Sequence, residues 1–490
     1  MKDNEKKPND GDHQTVALVF GNFNTLHLGH LRFLRFAAEQ ADRLIVGLYA
    51  KGTSPGAILT DEERIEALRF VSEIDEIVLV AGDRLDLIRE IRPDVVVKGR
   101  EFARVLNEEE ALADELGFKL IFGSGEPIST PVHMLLNPSR QHDFFADERT
   151  RAYIRRHDLA LPRVHGILEG FSRLKVLVLG DTIVDEYVDC DPVGLSQEDP
   201  TIVVSPKNRV SFLGGAGIVA SHARGLGASV DFVSVVGPDL SGNFAREAAE
   251  NAGVGTFLLE DETRPTTTKR RYRAGNKTLL RVNEYRQHDI SQRLKEAFSQ
   301  QIHTRLDSYD LIIFSDFNYG FLCNGFIQGL IQAAREKGIP MFADSQSSSQ
   351  VGDLNKFRGM RLVTPTEHEA RLTLKNTKDG LVKVSEVLGQ ELQAENVFVT
   401  LGHDGVLIRS KLNEGFWDTD ELPALNANPK DVAGAGDAML VSSALALVAG
   451  ASVWQAAFVG SVAAACQVSR IGNTAITIAE LLDTVEKVIA

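Results

Sequence analysis

The chain has 490 residues, of which 43% are hydrophobic and 25% charged, values typical of a globular protein with two or three domains. Its formal net charge of −15 argues against a surface that coats nucleic acid, although a local cationic pocket fits within that total. Three widely spaced cysteines argue against a disulfide framework or a structural zinc site, and they favour a reducing, cytoplasmic setting.

Residues 1–14 are polar, and we expect a disordered tail there without the apolar core of a signal peptide. The longest apolar stretch, residues 438–468, is interrupted by Gly, Ser and Gln. It therefore predicts buried helices rather than a membrane span.

Two α/β regions follow one another along the chain. Over residues 15–136, short apolar runs alternate with helical patterns, which predicts a Rossmann-like domain with a parallel sheet. Residues 137–172 are polar and charge-rich with two prolines, and they predict a helical linker. A second α/β pattern, without a short internal repeat, begins at residue 173 and continues to residue 490. We therefore expect two α/β domains of unequal size.

The first motif, GNFNTLHLGH over residues 21–30, lies between the first predicted strand and the first predicted helix. Ligands of open α/β sheets bind at the carboxyl ends of the strands, and a helix N-terminus attracts phosphate. Gly21 and Gly29 allow close approach of a ligand to the backbone. His27 and His30 can then add donors to the same anion. For an isolated H-x-x-H, two core histidines and a helix cap would be the favoured interpretation, because such pairs occur by chance.

This stretch resembles the G-x-F-D-x-x-H-x-G-H signature of the cytidylyltransferase-like nucleotidyltransferases. The resemblance implies transfer of a nucleotidyl group from an NTP, ATP or CTP, to a phosphate monoester with Mg²⁺ and no covalent intermediate. Three further segments, TDEERIEAL, PDVVVKGREF and EPISTPVHML, match the family in the right order. The implied catalytic residues are His27 and His30, and the implied nucleotide-binding residues are Gly21, Phe23, Asn24, Gly29, Arg64, Lys98, Gly99, Ser129 and Thr130.

Two features of this half depart from the family. Asn24 stands where an Asp is usual, which keeps an acceptor of similar size but loses its charge. The stretch before Arg64 is shorter than in the sugar-phosphate transferases, which leaves the acceptor open.

The second motif, KDVAGAGDAM, places G-A-G-D at the start of an apolar helix. Gly434 and Gly436 free successive N–H groups for an anion hole, and Asp437 is placed to take a proton from an attacking hydroxyl. By itself, the motif fits a tight helix start equally well.

The segments KVLVLGDTIVDEY, FLGGAGIVASHARGLG, TTTKRRYRAGNKTLLRVNEY and VTLGHDG occur with this turn in the order of the ribokinase-like PfkB sugar kinases. In detail, they resemble the kinase half of the bifunctional ADP-heptose synthases, with the domain order reversed. The resemblance implies that Asp437 is the base. It further implies an anion hole of Ala433, Gly434, Ala435 and Gly436 and an ATP site at Thr400, Gly402 and Gly405. The implied sugar pocket is formed by Asp181, Asp185, Gly214 and Gly215. The implied sugar-phosphate contacts come from Lys269, Arg271 and Arg281, and the implied metal contact from Glu369.

Four positions depart from that kinase pattern. Ile218 replaces a sugar-binding Asn, Thr366 replaces the Asn of N-x-x-E, and Tyr319 and Gln346 each replace a Lys. These losses should change or weaken substrate choice. The three cations Lys269, Arg271 and Arg281 also fit a solvated strand face.

Three interpretations follow. The first is a bifunctional sugar kinase and sugar-1-phosphate nucleotidyltransferase that makes a nucleotide-activated sugar similar to ADP-heptose. The second is an active nucleotidyltransferase whose degenerate kinase half is a ligand-binding scaffold or regulator. The third is a CTP-dependent transferase acting on another phosphate ester. Each implies small-molecule partners without nucleic acid or membrane, and the kinase resemblance implies a homodimer through that domain.

Overall fold

The structure is a computed structural model that describes residues 14–24, 26, 28–51, 59–99, 107–123, 148–196, 198–199, 201–275, 277–346, 352–411, 417–426 and 429–489. The chain divides into two compact units, residues 1–140 with 376–384, and residues 141–375 with 385–490. Each unit is built around its own α/β sheet.

The first unit is a Rossmann-like domain in which strands and helices alternate. Its elements are β1 (Val16–Gly21), α1 (Leu28–Ala38), β2 (Arg43–Tyr49), α2 (Asp61–Leu68), β3 (Glu76–Val80), α3 (Arg84–Ile91), β4 (Val95–Gly99), α4 (Glu109–Leu116) and β5 (Lys119–Gly123). All five strands are parallel in the order β3-β2-β1-β4-β5. Apolar clusters cover both faces of the sheet, as expected for continuous Val-, Ile- and Leu-rich strands. This confirms the fold predicted for the first half.

Two helices, α5 (Glu148–Arg156) and α6 (Leu161–Gly170), lie in the stretch predicted to be a helical linker. Their buried apolar side chains belong to the core of the second unit, notably Tyr153, Val164 and Leu168. The Tyr153 hydroxyl also donates to the Trp454 carbonyl at 2.8 Å. Residues 148–173 are therefore part of the second unit. Because these helices are rich in charged residues, the sequence pattern did not indicate that their few apolar residues face the core of the second unit.

The rest of the second unit is a ribokinase-like α/β domain, as predicted. Its elements are β6 (Lys175–Gly180), β7 (Thr182–Leu195), β8 (Ile202–Gly215), α7 (Ala216–Gly225), β9 (Ser229–Val236), α8 (Leu240–Asn251), β10 (Gly255–Glu260), β11 (Thr267–Ala274), β12 (Lys277–Glu284), α9 (Gln292–His303), β13 (Leu311–Asp316), α10 (Asn324–Glu336), β14 (Met341–Ser345), β15 (Leu362–Val363), α11 (Glu367–Leu374), α12 (Leu381–Leu392), β16 (Asn396–Thr400), β17 (Val406–Lys411), β18 (Trp417–Leu422), α13 (Ala435–Val448), α14 (Val453–Val468) and α15 (Ile478–Ile489).

The second unit contains two sheets. The larger has the order β10-β9-β6-β13-β14-β15-β16-β17-β18, and it is parallel up to β16 and antiparallel beyond. The smaller has the order β12-β11-β7-β8, in which β7 and β8 form a long antiparallel hairpin. Since β7 follows β6 directly, the carboxyl end of β6 and the start of the smaller sheet lie together.

Helices α13 and α14 are apolar on all sides and lie in the core of the second unit, as predicted for the long apolar stretch. Within the described parts of the chain, no helix combines the length and the apolar composition needed to cross a bilayer.

Candidate active sites

The first motif lies at the switch point of the first sheet. Strands β1 and β4 are neighbours at its centre, and the chain leaves them toward opposite edges. Gly21 and Gly99 end these two strands, and α1 begins with Leu28 and Gly29. Ligands of open α/β sheets bind in the crevice at such a point. His27, Ser129 and Thr130 lie outside the described residues, and Asn24 lies in a bend before α1.

An aromatic contact organises the described part of this motif. Phe23 has a positive φ of 41° and is buried, and its ring meets the His30 imidazole edge-on at 5.2 Å between centroids. A Cβ at Gly21 would lie 2.6 Å from the Phe23 ring, so that position requires glycine. Phe23 thus packs against the predicted catalytic His30.

Arg64 holds the backbone of the motif. Its side chain is 0% exposed, and its guanidinium donates to the carbonyls of Asn22 at 2.8 Å and Tyr49 at 2.9 Å. It also donates to the Thr60 carbonyl and pairs with Asp61. The capping box of Thr60 and Glu63 fixes the helix that carries it. The residue predicted to bind nucleotide phosphate therefore ties the end of β2 to the loop after β1.

Lys98 points toward a buried carboxylate. Its Nζ donates to both carboxylate oxygens of Glu109 at 3.0 and 2.9 Å, and Arg84 donates to the same group at 2.7 Å. Burial alone would raise the pKa of Glu109, but the hydrogen bonds from Arg84 and Lys98 outweigh it and lower that pKa. The carboxylate therefore stays ionised and holds Lys98 at the carboxyl end of β4.

In the second unit, the G-A-G-D turn begins α13. Gly434 is the N-cap with a positive φ of 77°, Ala435 and Gly436 open the helix, and Asp437 lies buried in its first turn. The Gln346 amide donates to the Asp437 carboxylate at 3.0 Å. Burial raises the pKa of Asp437 to about 7, against the opposing charge of Lys269. A carboxylate with such a pKa suits a base near neutral pH.

Lys269 lies on β11 and is buried against aromatic rings. Its Nζ lies 4.7 Å from the centroid of Phe317 and 5.8 Å from that of Tyr319. Burial lowers the pKa of Lys269 to about 8, although the Asp185 carboxylate opposes that shift. Lys269 lies opposite Asp185 on the neighbouring strand β7, and the charges of Asp185 and Asp437 both act to raise its pKa.

The two predicted sugar-binding aspartates differ in their contacts. Asp185 accepts from Arg271 at 2.7 Å and from the Asn473 amide at 3.1 Å, so it belongs to a polar site. Asp181 accepts from the backbone N–H groups of Phe317 and Tyr319 at 2.9 and 3.3 Å. Burial, with Asp316 nearby, raises the pKa of Asp181 to about 6. Asp181 thus shapes the loop after β13.

Two glycines make room for these carboxylates. A Cβ at Gly214 would collide with the Asp185 carboxylate, and one at Gly215, which has a positive φ of 56°, would collide with the Asp181 carbonyl. Glycine is required at both positions for this reason.

A cationic cavity of about 360 Å³ lies between the smaller sheet and the turn before α13. Its lining comprises Tyr187, Arg271, Arg273, Thr278, Arg281, Pro429, Lys430, Asp431, Val432 and Ala433. Four of these side chains are cationic and one is acidic, which favours an anionic ligand such as a phosphate ester. Arg271 and Arg281, which the sequence predicted to contact a sugar phosphate, belong to this lining, whereas Lys269 does not.

The predicted ATP and metal residues lie at the ends of neighbouring strands. Thr400 ends β16 and pairs with Thr366 as a β-bridge. Gly402 and Gly405, both with positive φ, border the turn that leads to β17. Glu369 lies in the first turn of α11 and accepts from the Thr366 hydroxyl at 2.8 Å.

The comparisons with known proteins address the same two regions. A family model described as pfkB family carbohydrate kinase matches residues 173–479, and one described as cytidylyltransferase-like matches residues 18–152. The chain belongs to the PfkB family of carbohydrate kinases. It carries a cytidylyltransferase-like domain ahead of the PfkB domain.

Curated relatives with the name "Bifunctional protein HldE" are similar to this PfkB chain. The one from Helicobacter hepaticus is 32% identical over 315 residues, 63% of this chain and 63% of the relative. The one from Desulfatibacillum aliphaticivorans is 32% identical over 64% of this chain and 63% of the relative. The match thus spans less than two thirds of the relatives' own length.

Phosphofructokinase-2 from Escherichia coli, in complex with substrates and products, has the same PfkB fold. Its crystal structure aligns with 64% of this chain and 99% of its own at a TM-score of 0.53 and 17% identity. This likeness concerns the fold alone.

The four residues that depart from the kinase pattern all pack or form hydrogen bonds within the PfkB domain. Ile218 is buried on α7, and Tyr319 stacks parallel to Phe317 at 6.5 Å between ring centroids. Gln346 donates to Asp437, and Thr366 caps α11 in a capping box with Glu369. Each substituted residue therefore has packing or a hydrogen bond of its own.

Sequence reasoning did not single out several residues of the PfkB site. Arg273 has a sequence signal, because it follows Lys269 and Arg271 at the two-residue spacing that puts strand residues on one face. Lys430 and Asp431 lie four and three residues before Gly434, the first residue of the G-A-G-D turn. Gln467 and Asn473 had no such signal, since they reach the site only through the packing of α14 and the segment after it.

Proposed function

We propose that the PfkB domain transfers a phosphoryl group from ATP to a hydroxyl of a phosphorylated sugar. That step gives a doubly phosphorylated sugar, from which a separate phosphatase must remove the first phosphate. The cytidylyltransferase-like domain then transfers a nucleotidyl group from an NTP onto the sugar 1-phosphate that remains. The product is a nucleotide-activated sugar, similar to ADP-heptose when ATP is the donor. This is the first of the three interpretations that the sequence leaves open.

The cationic cavity carries this proposal. A neutral sugar is bound by hydrogen bonds, whereas a phosphate ester also requires charge neutralisation. Arg271, Arg273, Arg281 and Lys430 supply four positive charges around one cavity, with only Asp431 opposing them in its lining. The cavity also includes Ala433, the first residue of the proposed anion hole. A phosphate bound there would place the rest of the sugar near Asp437.

The kinase step uses the side chains that surround Asp437. The acceptor hydroxyl attacks the γ-phosphorus of ATP, the new P–O bond forms as the bond to ADP breaks, and Asp437 takes the proton. The Gly434 and Gly436 N–H groups at the N-terminus of α13 stabilise the developing charge. The Ala433 and Ala435 N–H groups instead donate to Asp431 and to the Val432 carbonyl. Asp185 accepts a hydrogen bond from a second sugar hydroxyl, while Arg271 orients its carboxylate.

The oxygen donors of this site fit Mg²⁺. Asp344 is buried, its pKa is raised well above the usual value by burial and by the Glu369 and Asp437 charges, and its Oδ1 has no hydrogen-bond partner among the described residues. The part of the chain that the structure describes contains no cluster of three or more metal-binding side chains. Magnesium commonly takes one or two carboxylates and the substrate phosphates, so Glu369 and Asp344 would suffice. When bound, it would neutralise charge on the ATP phosphates.

In the cytidylyltransferase-like domain, a phosphate oxygen of the acceptor attacks the α-phosphorus of the NTP and pyrophosphate leaves. His30 and His27 donate to the developing charge at the start of α1, and Lys98 adds a cation from the neighbouring strand. The NTP is ATP or CTP.

The scaffold interpretation is the second candidate, and Ile218 favours it. A buried isoleucine offers no hydrogen bond at the position where the kinase pattern has an Asn for the sugar. On this interpretation, the PfkB domain binds a sugar phosphate or nucleotide without turnover.

We also propose a cytoplasmic homodimer in which a second copy covers the smaller sheet. That sheet exposes large apolar side chains at Val193, Leu195, Ile202, Val203, Val210, Leu280 and Val282. Light scattering of the full chain tests this, and a monomer that persists across concentrations would contradict it.

One experiment separates the two functional candidates. The full chain is incubated with ATP or CTP, Mg²⁺ and a panel of sugars and sugar phosphates, and the products are identified by mass spectrometry. ADP and a doubly phosphorylated sugar support the kinase. Binding of a sugar phosphate in calorimetry without any ADP would favour the scaffold.

A further inference from the structure

Two buried amides, Gln467 and Asn473, lie between the proposed acceptor pocket and the turn before α13. Gln467 is near the end of α14 and is 1% exposed, and Asn473 follows it in the segment before α15. Neither is explained by packing alone, because burying an amide is unfavourable unless its polar atoms are hydrogen-bonded.

The Gln467 amide holds the turn. Its Nε2 donates to the carbonyls of Ala433 and Gly472, each at 3.1 Å, and lies 3.4 Å from the Asn473 Oδ1. A Cβ at Gly434 would lie 2.6 Å from that same Asn473 oxygen. The two amides therefore contact the turn on the side of Gly434 where any other residue would place its Cβ.

The Asn473 amide holds Asp185, the carboxylate that we propose binds the acceptor sugar. Its Nδ2 donates to the Asp185 Oδ2 at 3.1 Å, while Arg271 donates to the other carboxylate oxygen at 2.7 Å. A hydrogen-bonded path thus runs from Asp185 through Asn473 and Gln467 to the Ala433 carbonyl. It joins β7 of the smaller sheet to the start of α13.

A second link runs parallel to the first. The Asp431 carboxylate accepts from the Ala433 N–H at 3.1 Å, from the Gly472 N–H at 3.2 Å and from the Tyr187 hydroxyl at 2.7 Å. Tyr187 lies two residues after Asp185 on β7. Both backbone groups of Ala433 are therefore hydrogen-bonded, because its carbonyl accepts from Gln467 and its N–H donates to Asp431.

We propose that Gln467 and Asn473 are positioning residues that fix the Asp185 carboxylate and the Ala433–Gly434 turn in one geometry. The inference rests on the proposed kinase function. A neutral amide can link the two without adding a charge beside Asp437, Lys269 or the transferred phosphate, whereas a buried ion would carry a large desolvation cost. Binding of the acceptor at Asp185 then favours the turn geometry that receives the phosphoryl oxygens.

The test compares the full chain with Gln467→Met, Asn473→Ala and the double variant. Methionine has a length and volume similar to glutamine but no donors. ADP release is measured as a function of acceptor concentration, and ATP affinity is measured by calorimetry. We expect kcat to fall ~10- to 100-fold in Gln467→Met, as for the loss of a buried hydrogen bond, with ATP affinity within about twofold of the unaltered chain. Asn473→Ala should in addition raise the acceptor KM.

The double variant should lose less than the product of the two single losses, because both act on one path. Gln455→Met is the matched control. Gln455 is also buried on α14, but it belongs to the capping box with Ser452. Its loss should lower the melting temperature and leave kcat unchanged. If Gln467→Met does not fold, Asn473→Ala and its effect on acceptor KM decide the question.

The outcomes distinguish this inference from the function on which it rests. Values of kcat and acceptor KM within about twofold in both single variants would overturn the inference while leaving the kinase intact. The inference would also fail if Gln455→Met lowered kcat as much as Gln467→Met, since the effect would then be one of stability. An unaltered chain that yields no ADP with any acceptor would contradict the proposed function itself.

Discussion

The two candidate sites both use a glycine-bearing turn at the start of a helix, but their turns are held in different ways. After β1, the turn is held by the buried Arg64 guanidinium, which binds the Asn22 carbonyl, and by the Phe23 ring. Before α13, the turn is held by the neutral amides of Gln467 and Asn473 and by Asp431. A carbonyl of the first turn is thus held by a cation, whereas the Ala433 carbonyl of the second turn is held by a neutral amide.

The difference follows from whether a charge near the proposed catalytic residue would disturb its pKa. A further charge next to Asp437 would shift its pKa, which burial raises to about 7. In the first site the described residue that we propose to be catalytic is His30, which packs on Phe23, and the Arg64 charge is matched by Asp61. We infer that amides support a turn whose neighbour must exchange a proton.

The largest expected effect concerns the second turn. Asp437→Asn keeps the shape but cannot take the proton, so phosphoryl transfer should fall by ~10²–10⁴. A coupled ADP assay measures this, with calorimetry showing near-normal ATP binding. Asp483→Asn, on the exposed side of α15, is the control and should have full activity. Retained turnover in Asp437→Asn would remove this residue from the mechanism.

The next effect is on stability and concerns the first turn. Arg64→Met removes the guanidinium donor from the Asn22 and Tyr49 carbonyls. Asp61 also loses that donor, but it is partly exposed and keeps the Lys51 N–H. The free energy of unfolding of the first unit should therefore fall by ~1–3 kcal/mol. Urea denaturation measures this, with the exposed Arg89→Met as control. Unchanged stability with weakened NTP binding would instead indicate that Arg64 is mainly a phosphate ligand.

His30→Ala tests the chemistry of the first turn. Loss of one donor to the developing charge should slow pyrophosphate release by ~10²–10³ and leave the kinase reaction unaffected. His27→Ala should behave in the same way. The exposed His303→Ala on α9 is the control. Near-normal pyrophosphate release in either active-site variant would contradict the assignment of that histidine.

A smaller effect is expected from pH, and only in the kinase reaction. Asp437 must be deprotonated to act as the base, so the rate should rise about tenfold per pH unit up to about 7. Lys269 loses its charge above about 8, and the rate should then fall again. Initial rates of ADP release from pH 5 to 10 give the profile. An acid limb that persists unchanged in the residual activity of Asp437→Asn would assign that limb to another group.

The smallest effect is expected when the chain is shortened. A chain that begins at residue 141 keeps the whole core of the second unit, and its kinase rate should equal that of the full chain. A chain that begins at residue 173 lacks α5 and α6 and should unfold at a lower temperature, because Tyr153, Val164 and Leu168 are lost from the core. Equal melting temperatures of the two shortened chains would show that these helices contribute nothing.

The sequence alone determined the alternation of strands and helices, the glycine turns and the position of Asp437 at a helix start. These features are local, because backbone conformation and helix ends depend on neighbouring residues. The cationic stretch that forms β11 and β12 contains Arg271 and Arg281, which the resemblance to the PfkB kinases singled out.

Only the tertiary structure decided which partner each polar side chain has. Arg64 binds the carbonyl of Asn22, 42 residues away, and Asn473 binds Asp185, 288 residues away. Asp181 and Asp185 lie four residues apart, yet one shapes a buried loop and the other belongs to a polar site. Such contacts depend on how distant elements pack, and no short stretch of sequence contains both partners.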